Sequence, residues 1–195
     1  MQRNAADGLF TKSSKLEMKD STLIIGGARS GKSRFALKMA EKRTSGEKAF
    51  VATCIPTDEE MRDRVAHHRR ERGPSWKTLE VPLYIAEAVL ESSRWAEMIL
   101  VDCLTLWANN LLCQTQDEAE IDRYVETLAE AIETAQCPLI LVTNEVGTGI
   151  VPENPAARRF RDVAGRINQQ AAAACSRVFW MVAGIPVPVK SPDTL

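Results

Sequence analysis

The clearest chemical signal in the sequence is a glycine-rich segment that ends in lysine and serine. Residues 26–33 read GGARSGKS, which fits the pattern G-x-x-x-x-G-K-[ST] and stands between an apolar run and a helical pattern. Gly26 and Gly31 can adopt backbone angles closed to other residues, so successive N–H groups can turn inward around a phosphate. Lys32 is predicted to reach the terminal phosphates of a nucleoside triphosphate, and the Ser33 hydroxyl to ligate Mg²⁺. The alternative is a glycine-rich turn that caps a helix.

A magnesium site also needs a carboxylate, and Asp102 is the natural candidate. It directly follows the apolar run 98–101, at the end of a predicted buried strand. The alternative is an aspartate that caps a turn at the end of that strand. Within the glycine-rich segment, Arg29 is either a phosphate contact or a solvated side chain.

The two histidines of the chain are adjacent and lie in an arginine-rich segment. On a helix His68 shares an inward stripe with Met61 and Val65, whereas His67 is turned about 100° away. The neighbouring arginines would hold the imidazole neutral and nucleophilic, and they could also bind phosphates. This combination suits a phosphohistidine or nucleotidyl-histidine intermediate. The alternative is a solvated basic helix face that carries two incidental histidines.

Composition excludes several classes of protein. The chain has 195 residues and 45% are hydrophobic, so we expect one domain over residues 21–195, after a flexible N-terminal extension at 1–20. The net charge of −1 provides no general basic field for nucleic acid. No apolar run approaches the roughly 18 to 20 residues of a membrane-spanning helix. Five scattered cysteines predict neither a zinc cluster nor a disulfide framework, which favours reduced thiols in the cytoplasm.

Apolar runs alternate with stretches of helical spacing along the chain. The runs typical of buried strands are Thr22–Ile25, Ala49–Thr53, Met98–Asp102, Leu139–Thr143 and Val178–Val182. Helical spacing is found in Lys32–Arg43, Asp58–Arg70, Tyr84–Ser92, Glu118–Ala135 and Ala156–Cys175. Val187–Lys190 is predicted as an edge strand because of Pro186 and Pro188. The alternation predicts an α/β fold with a mostly parallel sheet, whose chemistry collects at the carboxyl ends of the strands.

Further polar residues follow the run Leu139–Thr143. Asn144 and Glu145 could orient a hydroxyl nucleophile or the water shell of a metal, although a cap on the loop is equally consistent with the sequence. Four arginines then repeat at helical spacing and are candidates for binding phosphates or amides, with a solvated or intersubunit face as the alternative. They are Arg158, Arg159, Arg161 and Arg166.

Several segments together resemble those of one enzyme family. They are GGARSGKS at 26–33, the strand end at 52–53 with DEEM at 58–61, RVAHH at 64–68, and above all VTNEVGTGIVPEN at 142–154, followed by RRFRDVAGRINQ at 158–169. With these segments, the chain from Leu23 to Lys190 resembles the bifunctional adenosylcobinamide kinase/adenosylcobinamide-phosphate guanylyltransferase family.

This resemblance implies a P-loop NTPase fold of the RecA-like type and a two-step enzyme of cobalamin biosynthesis and salvage. The first step phosphorylates the aminopropanol hydroxyl of adenosylcobinamide with ATP or GTP. The second joins GMP from GTP to that phosphate and leaves adenosylcobinamide-GDP. The family pattern Arg-Ile-x-x-His aligns with Arg64, Val65 and His68, so the resemblance implies a GMP-histidine intermediate at His68. It also implies a homotrimer or larger homo-oligomer.

The resemblance further implies a set of nucleotide contacts, with Lys32 and His68 as catalytic residues and Ser33 and Asp102 as ligands of Mg²⁺. These contacts are Gly26, Gly27, Ala28, Arg29, Ser30, Gly31, Lys32, Ser33, Ala52, Thr53, Cys54, Arg69, Arg70, Glu71, Arg72, Glu80 and Asp102. Two rival hypotheses stay open. One is a monofunctional P-loop kinase or NTPase with structural histidines, and the other is a nucleotide-dependent regulatory or binding module without group transfer.

Overall fold

The computed structural model describes residues 20–56, 59, 62 and 72–192, and their strands form one seven-stranded sheet. The strands are β1 (Ser21–Gly26), β2 (Lys48–Ala52), β3 (Trp76–Glu80), β4 (Met98–Asp102), β5 (Leu139–Asn144), β6 (Arg177–Val182) and β7 (Ile185–Lys190). Their order across the sheet is β3-β2-β4-β5-β1-β6-β7. All neighbours are parallel except β6 and β7, which pair antiparallel. The predicted α/β fold with a mostly parallel sheet is confirmed.

The described helices pack on both faces of this sheet. They are α1 (Lys32–Arg43), α2 (Ile85–Ser92), α3 (Leu104–Gln114), α4 (Glu118–Thr134) and α5 (Pro155–Ala174). Neighbouring residues of β1 face opposite layers, because Ile24 belongs to the cluster that α1 covers and Leu23 to the larger cluster under the other helices. Burial on both faces explains why the central strands are apolar without interruption.

Two elements differ from the expectations. The sequence pattern misses β3 because this strand lies at the edge of the sheet, is only half buried and carries Lys77 and Thr78 among its apolar residues. It misses α3 because apolar residues surround most of that helix's circumference, which blurs the helical period. The strand predicted at Val187–Lys190 is confirmed as part of the edge strand β7. Residues 1–19 of the extension predicted at 1–20, and nearly all of the predicted helix Asp58–Arg70, lie outside the described residues.

Helix α5 begins at the same edge of the sheet where the parallel strands end. Helix α5 follows β5 and leads to β6. Strands β5 and β6 each pair parallel with β1, so they run in the same direction, and α5 therefore runs back from the carboxyl edge of the sheet. Its start is fixed by Asn154, whose Oδ1 accepts a hydrogen bond from Ala156 N at 2.8 Å, and by Pro155 in the first turn. Side chains in the first turns of α5 therefore lie beside the loops that follow β1 and β5. Among the described helices, none is long and apolar enough to cross a membrane.

Candidate functional site

The glycine-rich segment forms a tight loop between β1 and α1. Gly31 has a φ of 88°, which a side chain would strain. Gly26 has no room for a side chain, because a Cβ there would lie 2.6 Å from the carbonyl oxygen of Met181. The turn between β6 and β7 supports the loop from outside, since Gly184 N donates to Ser30 O at 3.1 Å. The backbone of the loop is therefore held in a curved path, by the close contact at Gly26 and by the hydrogen bond to Ser30.

Lys32 lies under this loop rather than in solvent. Its side chain is 8% exposed, and its Nζ donates to Gly27 O at 2.7 Å. Burial lowers the pKa of the Lys32 ammonium, while the neighbouring Asp102 carboxylate and the Cys103 thiol act to raise it. The structure thus brings together the lysine of β1's loop and the aspartate that ends β4.

Hydrogen bonds join the residue after β4 to the residue after β2. Ala52 pairs with Asp102 on one side and with Glu80 on the other, so these residues share one level of the sheet. The next residue, Thr53, is fully buried; its hydroxyl accepts from Cys103 N and donates to Cys103 O, both at 2.8 Å. These bonds fix the backbone directly beside Asp102. Burial and the Asp102 charge raise the pKa of the Cys103 thiol to about 12, so this cysteine is a neutral part of the site.

A cavity of about 380 Å³ opens beside the glycine-rich loop. Its walls combine the loop, the segment after β5 and the turn after β6. The lining residues are Gly27, Ala28, Arg29, Ser30, Glu145, Thr148, Trp180, Met181, Val182 and Ala183. Ser30 is 8% exposed, and its hydroxyl has no hydrogen-bond partner among the described residues. An unpartnered hydroxyl facing a loop rich in N–H groups fits a phosphate oxygen as the missing acceptor.

The carboxyl end of β5 lies directly against the glycine-rich loop. Gly26 pairs with Asn144 in the sheet, and Glu145 N donates to Gly26 O at 3.1 Å. The Glu145 carboxylate accepts a hydrogen bond from Gly147 N, which is the loop cap that the sequence left as one possibility.

A buried polar network that the sequence did not predict stands below this loop. Thr143 Oγ1 donates to Asn168 Oδ1 at 2.7 Å, and Asn168 Nδ2 donates to Asn144 O at 3.1 Å. Asn144 N donates to Thr105 Oγ1 at 2.6 Å. The signal that could have revealed it is an asparagine in the buried stripe of α5, where an apolar residue is expected.

The arginines of α5 have separate surroundings. Arg159 and Arg166 both pair with Glu118 of α4, and together they lower the pKa of the Glu118 carboxylate. Arg158 donates to the carbonyl groups of residues 152 and 153. These three arginines are therefore engaged within the chain, and Arg158 and Arg166 are also exposed to solvent. Arg161 differs, because its Nη1 is buried and has no hydrogen-bond partner among the described residues.

The other predicted nucleotide contacts lie at the far side of the sheet's carboxyl edge or outside the described part of the chain. Cys54 follows Thr53 and is half buried, and Glu80 is exposed at the end of β3. The Arg72 guanidinium stacks over the Phe50 ring, 3.6 Å from its centre. His68, Arg69, Arg70 and Glu71 lie outside the described residues.

A second cavity, of about 410 Å³, opens at this far side and carries no formal charge. Its lining residues are Ile55, Pro82, Leu83, Leu106, Asn109, Asn110, Cys113 and Gln114. Asn110 closes its floor, since its Nδ2 donates to Thr53 O at 2.8 Å and to Pro82 O at 2.9 Å. The wall of the uncharged cavity is thereby bonded to the residue that fixes Cys103.

Comparison with known proteins agrees with this geometry. A family model described as cobinamide kinase / cobinamide phosphate guanyltransferase matches residues 22–189. The bifunctional adenosylcobalamin biosynthesis protein CobP of Pseudomonas aeruginosa is 43% identical over 168 residues, which cover 86% of this chain and 96% of that protein. The bifunctional adenosylcobalamin biosynthesis protein CobU of Escherichia coli is 38% identical over 180 residues, with 86% and 98% covered.

Solved structures agree on the fold. A solved ATPase domain has a TM-score of 0.53 at 12% identity, with 90% of this chain and 78% of that one covered. The protein PH0250 of Pyrococcus horikoshii has a TM-score of 0.54 at 8% identity, with 89% and 87% covered. The fold is that of P-loop NTPases of the RecA-like type, as predicted. From the family match over residues 22–189 and the relatives at 38–43% identity, this chain belongs to the cobinamide kinase / cobinamide phosphate guanyltransferase family.

Proposed function

We propose that this chain phosphorylates adenosylcobinamide with ATP or GTP, and then transfers GMP from GTP to the new phosphate to give adenosylcobinamide-GDP. The observation that carries the proposal is the convergence of Lys32 and Asp102 beneath a tightly curved glycine-rich loop, in a chain of this family. That arrangement is what a nucleoside triphosphate needs: backbone donors, one cation and one carboxylate.

The residues present fit a nucleotide-bound Mg²⁺. No group of three or more metal-ligating side chains exists among the described residues, so the chain offers Mg²⁺ few ligands of its own. Mg²⁺ commonly takes one or two protein oxygens together with phosphates and water. We assign these oxygens to the Ser33 hydroxyl, in the first turn of α1, and to the Asp102 carboxylate. When bound, the ion would neutralise charge that develops on the phosphates.

In the kinase step, the hydroxyl oxygen of adenosylcobinamide attacks the γ-phosphorus, the bond to the β–γ bridging oxygen breaks, and a nucleoside diphosphate leaves. The hydroxyl proton passes to solvent. Lys32 stabilises the transferring group once its Nζ exchanges Gly27 O for a phosphate oxygen. The backbone N–H groups of residues 27–33 hold the remaining phosphates.

In the guanylyl step, an imidazole nitrogen of His68 attacks the α-phosphorus of GTP and pyrophosphate leaves. A phosphate oxygen of adenosylcobinamide phosphate then attacks the same phosphorus, and the nitrogen–phosphorus bond breaks. The covalent intermediate divides one difficult displacement into two easier ones. We assign residues 69–72, with Ala52, Thr53, Cys54 and Glu80, to the GTP that His68 attacks.

For the acceptor, we assign the uncharged cavity beside Asn110. Its lining offers apolar side chains and the amides of Asn109 and Gln114, which suit a large macrocycle that carries carboxamide side chains. The position is favourable because the cavity wall is bonded to Thr53, and Thr53 fixes Cys103 next to Asp102.

We also propose a homotrimer or larger homo-oligomer in the cytoplasm, with residues 21–195 as the domain. An exposed apolar face on the β6–β7 hairpin supports the oligomer, and Trp180 of this face also lines the loop cavity. The face comprises Trp180, Val182, Ile185, Val187 and Val189. Light scattering on a gel-filtration column tests the oligomeric state, and Trp180→Glu is expected to yield smaller species.

The decisive experiment is covalent labelling. The protein is incubated with GTP labelled at the α-phosphorus, denatured, and divided between neutral and acidic conditions. We expect acid-labile label in the natural protein and in His67→Ala, and none in His68→Ala. Label retained in His68→Ala would refute the assignment. A monofunctional kinase would show neither the label nor pyrophosphate release that depends on phosphorylated cobinamide.

A further inference from the structure

We propose that Arg161 is a phosphate-binding residue of the same site, placed to hold a phosphoryl group near the glycine-rich loop. This inference rests on the proposed function and adds to it a cation from α5. None of the nucleotide contacts inferred from the family resemblance lies on this helix.

The first observation is an unpaired cation. Nη1 of Arg161 is buried and has no hydrogen-bond partner, and no ion pair of Arg161 is found among residues 20–56, 59, 62 and 72–192. A buried guanidinium nitrogen without an acceptor is unfavourable. By contrast, Arg159 and Arg166 on the same helix both pair with Glu118. A missing anion accounts for the difference.

The second observation is the direction in which Arg161 leaves the helix. Arg161 and Asn168 are seven residues apart, about two turns of α5, so they share one stripe. Asn168 bonds to Thr143 and Asn144 at the carboxyl end of β5. Arg159 lies about 200° around the helix from Arg161, which is why it meets α4 instead.

The third observation is the position of Arg161 along the axis of α5, relative to the end of β5. Since α5 runs back from the carboxyl edge, Arg161 lies about 10 Å closer to the start of the helix than Asn168, beyond the end of β5. One neighbour of β5 at that level is the glycine-rich loop, because Asn144 pairs with Gly26 and Glu145 N donates to Gly26 O. The cavity beside that loop is lined by Ser30, whose hydroxyl is unpartnered among the described residues.

A phosphoryl group is the anion that this position fits. The guanidinium binds phosphate oxygens in a forked geometry. In the guanylyl step two phosphates must approach each other, and Lys32 supplies a cation from the loop side only. The phosphoryl group has two possible sources, which are the terminal phosphates of the nucleotide and the phosphate of adenosylcobinamide phosphate.

The test compares Arg161→Met and Arg161→Lys with the matched control Arg158→Met, all in the full chain. Three rates are measured: phosphorylation of adenosylcobinamide, self-labelling by GTP, and transfer of GMP to adenosylcobinamide phosphate. We expect Arg161→Met to lose about 100-fold in transfer, the usual effect of removing one donor to a reacting phosphoryl or oxyanion group. Arg161→Lys should recover part of the loss, and the control should stay within twofold.

The source of the phosphate follows from which rates fall. If the acceptor phosphate binds Arg161, self-labelling is retained and the KM for adenosylcobinamide phosphate rises, while the KM for unphosphorylated adenosylcobinamide is unchanged. If the nucleotide binds Arg161, self-labelling and phosphorylation fall as well, and GTP binds at least tenfold more weakly. All three rates within twofold of the natural protein in both variants would overturn the proposal.

Two measurements separate this role from a structural one and from failure of the proposed function. Urea unfolding of Arg161→Met should show unchanged or higher stability, because an unpartnered guanidinium nitrogen is removed from a half-buried position. Lower stability, with the tripolyphosphate affinity and the KM for adenosylcobinamide phosphate both unchanged, would indicate a structural role and overturn the proposal. Tripolyphosphate is also the probe that needs no catalysis. If the natural protein has neither activity but binds tripolyphosphate more tightly than Arg161→Met does, the proposed function fails and the assignment of Arg161 stands.

Discussion

The hydroxyl of Thr53 holds both backbone groups of Cys103, with Cys103 N and Cys103 O each 2.8 Å away. Two strands that lie side by side in the sheet are thereby joined at their carboxyl ends, directly beside Asp102. Since Asp102 immediately precedes the anchored Cys103, the position of its carboxylate depends on a side chain that follows a different strand.

We expect Thr53→Val to reduce both stability and activity. Valine has the same shape but leaves the N–H group of Cys103 unpaired, at a cost of about 1–3 kcal/mol, while Cys103 O keeps the hydrogen bond from Trp107 N at 3.2 Å. Urea unfolding measures the loss, and the Mg²⁺ concentration needed for half-maximal kinase activity should rise because Asp102 is less well positioned. Thr53→Ser, which keeps the hydroxyl, is the control. Equal Mg²⁺ requirements in Thr53→Val and the natural protein would contradict the link to Asp102.

Asn168 provides a second test of how the site is built. Its amide group satisfies Thr143 and Asn144 together, and its side chain is only 9% exposed. Asn168→Ala should therefore destabilise the protein by roughly 1–3 kcal/mol, since Asn144 O loses a donor and the Thr143 hydroxyl keeps only its contact with Thr105 Oγ1, at 3.2 Å. Thermal unfolding measures this, with the exposed neighbour Gln169→Ala as the control. A loss of less than about 0.5 kcal/mol, the range of ordinary surface substitutions, would show that the network contributes little.

The sequence predicted the parts of this site that depend on local pattern. The loop 26–33 and Asp102 could be recognised because each follows an uninterrupted apolar strand, and such strands end at one edge of a parallel sheet. Their meeting required only that β1 and β4 belong to the same sheet. The helix spacing likewise predicted α1, α4 and α5 to within a residue or two.

What the sequence could not predict depends on long-range partners. Thr105 and Asn168 are ordinary polar residues in the sequence, and their function in the network exists only because α3 and α5 cross the end of β5. The same holds for the arginines of α5, whose spacing alone suggested one common face. Glu118, at the start of α4, pairs with only two of these four arginines, Arg159 and Arg166. Nothing in the sequence of α5 indicates this pairing.

The pairing of Arg159 and Arg166 with Glu118 yields a third prediction. Arg166→Ala should lower stability by only about 0.2–1 kcal/mol, because pairs exposed to solvent are screened, and it should leave both activities unchanged. The pKa of Glu118 is held low mainly by Arg166 and Arg159. The contribution of these ion pairs to the free energy of unfolding is therefore present at neutral pH, and it is lost as the pH falls through the lowered pKa of Glu118. Urea unfolding at neutral and at acidic pH should show a difference between the natural protein and Arg166→Ala only at neutral pH.

Lys32 gives a fourth prediction, on stability in the alkaline range. Burial lowers the pKa of its ammonium below 10.5 in the folded protein, so the unfolded chain binds the proton more tightly. Between the lowered pKa and 10.5 the unfolded chain holds more protons, and the stability of the folded protein rises with pH relative to Lys32→Met. Affinity for GTP should fall over the same range, because the neutral amine no longer attracts phosphate. Urea unfolding and GTP titration on the two proteins at several alkaline pH values test both trends, and parallel stability curves would contradict them.

The cysteines give a fifth prediction, which also tests the acceptor cavity. Burial raises the pKa of Cys103 and of Cys175 to about 12, and that of Cys137 to about 11, whereas Cys113 is exposed. Because the thiolate is the reactive form, iodoacetamide near pH 8 should modify Cys113 well before those three, and unfolding in guanidinium chloride should expose them all. Cys113 lines the uncharged cavity, so adenosylcobinamide should slow its modification at least severalfold, as measured by peptide mass spectrometry. GTP alone is the control ligand and should leave the rate at Cys113 unchanged. If adenosylcobinamide binds without any protection of Cys113, the corrin ring lies elsewhere and the cavity has another purpose.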